Sequence, residues 1–236
     1  MLLPIGDDNT KRVSYPVVTN TLIAMNIAVF ILELMNGDTF VRKYSLIPAE
    51  FFNGTQGVFN IFSSMFLHAN LLHIFGNMLY LYIFGDNVED NLGKIKFIIF
   101  YFACGVAAML AQTYSMPDSA IPSLGASGAI AGVLAAYLIL FPTNKVRVLI
   151  IFPFTKIMNA WIILGLWILM QLVSGWTSQS QHTAAAQGGV AYMAHIGGFF
   201  TGVALTFLFR RHEAKHGTLH RLGVKKSPGA GLIAPK

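Results

Sequence analysis

The sequence predicts an all-α membrane protein: six apolar helices form a bundle, and the fourth is short and recessed from one face. Three observations predict it. Of the 236 residues, 55% are hydrophobic and only 11% are charged, and the mean hydropathy of +0.60 is too high for a soluble domain of this length. Apolar runs of spanning character recur six times along the chain. The basic residues between them crowd onto alternate connections.

Residues 1–18 precede the first run, which covers 19–35 and stops at Asn36-Gly37-Asp38. No small-x-small pattern marks a cleavage site there, so this run is expected to stay as an anchor rather than leave as a signal peptide. The connection 36–70 mixes Phe40, Tyr44, Phe51, Phe52, Phe59, Phe62 and Phe66 with polar residues. So aromatic a loop is expected to lie half inserted at the membrane interface. The second run, 71–84, leads into Gly85-Asp86-Asn87-Val88-Glu89-Asp90. The third, 95–116, holds the single cysteine, Cys104, which can form no internal disulfide and has no Cys-His metal spacing around it. The fourth run, 127–141, is closed by Pro142-Thr143-Asn144-Lys145, and the fifth and sixth cover 157–173 and 190–209. The membrane domain is thus 19–211, and the basic stretch 212–236 has no core-forming pattern and is expected to be a mobile tail.

Six spans put both termini on one side. With that side cytoplasmic, the inner segments hold Lys11, Arg12, Lys94, Lys96, Lys145, Arg147, Lys156 and every Lys and Arg from Arg210 onward, against Arg42 and Lys43 outside. This bias predicts a multi-pass protein of the cell membrane with both ends cytoplasmic. The net charge of +6 is therefore a topology signal; no basic patch interleaved with aromatics points to nucleic acid.

Depth arithmetic gathers the polar residues of the spans. The fourth run is about 22 Å of helix at ~1.5 Å per residue, against a hydrocarbon core of about 30 Å. With its inner end set by Pro142, Ser127 falls roughly 8–10 Å below the outer face. His195, counted inward from Val190, lies about 8 Å deep; His73 and Asn77, counted outward from Glu89, lie about 6 and 12 Å deep. The four converge on one site near the outer leaflet. The loop Pro122-Ser123-Leu124-Gly125-Ala126 must then dip into the bilayer, where exposed backbone is tolerated only against protein or a water-filled cavity. A hydroxyl flanked by Gly125 and Gly128 at a helix head reads as a nucleophile, and the unpaired N–H groups of that helix suit a developing oxyanion.

Three motifs now stand on three helices: His68-Ala69-Asn70-x-x-His73-x-x-x-Asn77, Gly125-Ala126-Ser127-Gly128-Ala129-x-x-Gly132, and Ala194-His195-x-x-Gly198-x-x-x-Gly202. In this order they resemble the rhomboid family of intramembrane serine proteases, over roughly residues 19–211. The resemblance implies a six-helix rhomboid-like bundle with Ser127 as nucleophile and His195 as general base. It places His73, Asn77 and the backbone of Ser127 and Ala126 at an oxyanion hole, His68 as a supporting residue near water entry, and Glu89 in a structural role. Gly125, Gly128, Gly132, Gly198 and Gly202 would be supporting residues, the last two drawing the sixth helix onto the fourth. The implied substrates are single-span or multi-span membrane proteins cut in or beside a transmembrane helix, within the lipid bilayer, with no cofactor and no metal. The chain departs from several members in carrying Ala131 where an aromatic stacks on the base, and it lacks the Trp-Arg pair of some first outer loops. These departures bear on base orientation and loop packing, not on the reaction class.

Plainer readings stand beside these roles. A serine among glycines in a membrane helix is usually a packing residue, and a lone intramembrane histidine an interhelix contact; the combination favours chemistry. A proton-coupled transporter would need deep charges and an inverted repeat, neither of which is found. Metal ligation by His68, His73 and His195 lacks the i, i+4 spacing of His-Glu-x-x-His. A rhomboid-like binder without catalysis is the remaining alternative. His182 is expected to be solvated, and Glu33 interfacial.

Overall fold

The computed structural model describes residues 3–10, 12–181 and 190–210. His182 and the stretch 212–236 lie outside the described residues. The helices are α1 (Val17–Tyr44), α2 (Pro48–Phe52), α3 (Val58–Ser63), α4 (Leu71–Leu92), α5 (Lys94–Ser115), α6 (Ser127–Leu140), α7 (Ala160–Gln181) and α8 (Tyr192–Phe209). A 3-10 turn, Ser64–Phe66, joins α3 to the loop before α4.

Among the described residues four helices, α1, α5, α7 and α8, are long and apolar enough to cross a bilayer alone. With α4, which meets the α3 segment across an 88° bend, and the short apolar α6, they make up an all-helical membrane bundle. Its outer surface is apolar: Ile31, Ile99, Leu169 and Phe207 are among many large side chains facing outward. In water such a surface would drive association; against lipid it is the matched solvent.

Helix α6 is the axis of the bundle. Every residue from Gly128 to Tyr137 is buried, so the helix is apolar all round because neighbours cover all of its faces. Small residues make the approach close. A Cβ built on Gly128 would run into Ala108 of α5, and one on Gly132 into Cys104, which is buried with a free thiol. On the opposite side a Cβ on Gly198 would overlap the Gly128 carbonyl, and one on Gly202 the Gly132 backbone. Helix α8 therefore lies on α6 nearly backbone to backbone, a contact only glycine allows.

The end of the bundle remote from Ser127 departs from the all-α expectation. Strands β1 (Leu3–Asp7), β2 (Lys145–Ile151) and β3 (Phe154–Asn159) form an antiparallel sheet in the order β1-β2-β3. The pattern Lys145-Val146-Arg147-Val148 explains it: both valines are fully buried while Lys145 and Arg147 point out, the two-residue period of a half-buried strand. Ile157, placed by hydropathy in the fifth span, belongs to β3, and the helix begins only at Ala160, whose N–H reaches the Asn144 carbonyl at 2.9 Å. At the other end of α1 hydropathy stopped at Met35, whereas the helix continues to Tyr44 through a break at Gly37 with φ of 66°.

The polar run at the end of α4 ties this end together. The Glu89 carboxylate accepts from the N–H groups of Val18 and Thr19 at 3.0 and 2.8 Å and from the Thr19 hydroxyl at 2.8 Å. It thereby satisfies orphan donors in the first turn of α1 and sits at the positive end of that helix. Asp86 pairs with Arg12 at 2.6 Å, Asn87 donates to Asp7 at 2.8 Å, and Asp90 accepts from the backbone of Val13 and Ser14. The Tyr137 hydroxyl, at the foot of α6, donates to Asp7 at 2.6 Å. The segment before the first helix is thus docked on the bundle rather than trailing from it.

Candidate active site

The site is built where α6 begins inside the bundle. The approach loop is irregular but its backbone is paired: Ser123 and Leu46 exchange N–H···O bonds of 2.7 and 3.2 Å, and Gly125 N–H donates to the Ser64 carbonyl at 2.9 Å. These bonds pair part of the loop's backbone with protein, as non-helical chain packed inside an apolar bundle requires. Gly125 has φ of 125°, and a Cβ there would sit 3.0 Å from both Cε1 and Nε2 of His73. Both the backbone angle and the space demand glycine. Ala126 is fully buried and its carbonyl accepts the Ile130 N–H at 3.0 Å, but no side chain among the described residues caps α6. The first-turn N–H groups of α6 are therefore left without intrahelical acceptors.

Ser127 opens α6 and is partly exposed. Its Oγ lies 2.8 Å from Nε2 of His195, a buried residue in the first turn of α8. The glycine contacts of α6 with α8 bring these two backbones close enough for the bond to form. On the other side of the ring, His195 Nδ1 lies 2.8 Å from Oε1 of Gln171 on α7. An amide oxygen only accepts, so Nδ1 carries the proton and Nε2 keeps its lone pair for the serine hydroxyl. Trp167, one turn earlier on α7, lies against the imidazole with ring centroids 5.7 Å apart and planes at 38°.

His73 and Asn77 occupy one face of α4 at i, i+4. Asn70 caps this helix, its side chain accepting the His73 N–H at 2.9 Å. The His73 ring takes the Ala69 N–H on Nδ1 at 3.4 Å, which leaves Nε2 as the protonated nitrogen. That Nε2 faces the space beside Gly125, within 3.6 Å of which Ser127 Oγ also lies. Asn77 is buried, and its Nδ2 has no partner among the described residues. A buried amide donor left unpaired costs roughly 1–3 kcal/mol, so such a group invites an acceptor.

His68 is buried behind His73, the rings 5.1 Å apart and at 70°. Its N–H is held by both carboxylate oxygens of Glu33 at 3.1 and 3.2 Å, its Nδ1 lies 3.2 Å from the Phe66 carbonyl, and its Nε2 has no partner among the described residues. Glu33 is therefore covered by protein rather than left free on the helix surface. It is 4% exposed and accepts from the backbone, because the loop after the 3-10 turn folds over α1 one turn before its break at Gly37.

Sequence reasoning missed Gln171 and Trp167. The signal was present: Gln171 is the only polar side chain between Ala160 and Val173, and a lone amide in a spanning run asks for an intramembrane partner. Among the described residues no group of three His, Cys, Asp or Glu could hold a metal ion.

The Rhomboid domain family matches residues 55–212. Rhomboid protein 1, mitochondrial, of Saccharomyces cerevisiae is 32% identical over 187 residues, covering 77% of this chain and 50% of that protein. Rhomboid protease GluP of Bacillus subtilis is 30% identical over 200 residues, covering 80% of this chain and 35% of that protein. Rhomboid protease AarA of Providencia stuartii is 27% identical over 213 residues, covering 81% and 72%. The chain spans about half the length of the yeast relative and about a third of GluP.

Proposed function

The chain belongs to the rhomboid family, and on that premise we propose that it is an intramembrane serine protease acting through Ser127 and His195. The observation that carries this reading is the 2.8 Å contact between Ser127 Oγ and His195 Nε2 at the head of a buried helix. Two similar proteins bear the name of rhomboid proteases.

The chemistry runs as follows. His195 Nε2 takes the Ser127 hydroxyl proton as Oγ attacks the scissile carbonyl carbon. The resulting oxyanion is met by the Ser127 N–H, with Ala126 shaping the turn, and by His73 Nε2–H and Asn77 Nδ2–H from α4. As the C–N bond breaks, His195 returns the proton to the leaving amine. Water then attacks the acyl-enzyme, with His195 again as base, and releases the second fragment. His68 supports His73 from behind. A helical substrate must unwind before its carbonyl reaches Oγ, so spans with small or helix-breaking residues should be favoured. The substrates are membrane proteins. The charge bias favours a cell membrane with both termini cytoplasmic and the site toward the outer leaflet.

The test is to incubate detergent-purified protein with a panel of single-span substrates and, separately, with a fluorophosphonate. Cleavage and a covalent adduct on Ser127, both lost in Ser127→Ala, are the expected results. No cleavage and no adduct would leave a family member that only binds membrane clients.

A further inference from the structure

Resting on the protease reading above, we propose that Gln171 is the positioning residue of the catalytic base: its side-chain oxygen fixes the tautomer and orientation of His195, completing a Ser127–His195–Gln171 relay drawn from three helices. The geometry is direct. Oε1 of Gln171 and Oγ of Ser127 each lie 2.8 Å from opposite nitrogens of one imidazole. In a serine triad the third member holds the ring in the tautomer that leaves Nε2 free and stabilises the imidazolium. A buried ionised carboxylate would be costly at this depth, whereas a neutral amide does the orienting without bringing a charge into the bilayer.

The same helix supplies the second restraint. Trp167 and Gln171 stand at i, i+4, so one face of α7 presents both the indole beside the ring and the acceptor for Nδ1. This answers the absence of an aromatic at Ala131. That residue is fully buried among α6 and its neighbours and, lacking a ring, offers nothing to stack on His195. Orientation of the base is thereby moved from the helix of the nucleophile to α7. The base is held only while α7 is packed in this position.

The test separates the acceptor from the volume. Gln171→Met keeps the length and bulk of the side chain but removes the oxygen, and Gln171→Glu keeps an oxygen in place. Met should lower kcat about 10- to 100-fold with KM changed less than about twofold, since ring orientation matters in the transition state more than in binding. Glu in its neutral acid form keeps an acceptor oxygen without a charge and should retain most of the wild-type kcat. Histidine-selective 15N NMR should find His195 protonated at Nδ1 in the wild type and in Ser127→Ala, and a mixture of tautomers in Gln171→Met. The NMR arm needs no cleavage, so it stands even if the protease reading fails on the substrate panel. The proposal is overturned if Met keeps the wild-type kcat, if Glu loses as much as Met, or if the tautomer is unchanged on loss of the oxygen.

Discussion

Gly198 of α8 lies so close to Gly128 of α6 that a β-carbon on Gly198 would occupy the space of the Gly128 carbonyl oxygen. The relation matters because Ser127 and His195 flank it: His195 is one turn before Gly198, and Ser127 adjoins Gly128. Even Gly198→Ala should therefore push α8 outward, at a cost of about 1–3 kcal/mol for an overpacked contact, and Gly198→Val should cost more. Cleavage and melting temperature should fall together. Gly165→Ala on α7 is the control, because nothing among the described residues lies within 4 Å of its added Cβ; there the better helix propensity should leave stability unchanged or raise it by up to about 1 kcal/mol. Equal effects at the two positions would remove the packing argument.

The dyad acts as a unit. Ser127→Ala and His195→Ala should each abolish cleavage, and the double variant should be no worse than either. Turnover in a purified single-substrate assay decides it, and substantial cleavage by either single variant would sink the mechanism.

Asn77 offers an unpaired buried donor on the face of α4 that also carries His73. Asn77→Ala should lower kcat by about 10²-fold, the usual effect of losing one oxyanion donor, while the melting temperature stays close to wild type because that Nδ2 has no hydrogen-bond partner among the described residues to lose. An unchanged rate would make Asn77 a packing residue.

Asp7, in β1 and outside the spanning helices, has its carboxyl pushed from 3.8 up to about 6, chiefly by burial; the bond from Tyr137 opposes the shift, and the charges of Asp86 and Asp8 add to it. A raised carboxyl pKa means that the folded state favours the protonated acid. Its contribution is fully present below the unfolded value of 3.8 and is lost as pH rises through about 6. The melting temperature of the wild type should therefore gain on that of Asp7→Asn as pH is lowered from 7.5 to 5. Parallel curves across that window would show that Asp7 does not titrate there.

Legible in the sequence by itself were the apolar runs that become the helices of the bundle, Ser127 and His195 as a pair that the fold brings into contact, His73 and Asn77 on one face of their helix, and the glycines that draw α8 onto α6. Each of these is written locally: hydropathy is a property of a window about one span long, and i, i+4 spacing puts side chains on one face whatever lies opposite. Tertiary structure alone decided the rest. Strand β1 pairs with residues some 140 positions away, Leu3 opposite Leu149, and no local pattern specifies such a partner. Glu33 reads as interfacial on its own helix and becomes a buried acceptor only when the His68 loop closes over it. Gln171 and Trp167 reach His195 because of how α7 is rotated about its own axis, and that rotation is set by packing against α6 and α8, which a one-dimensional hydropathy pattern does not encode.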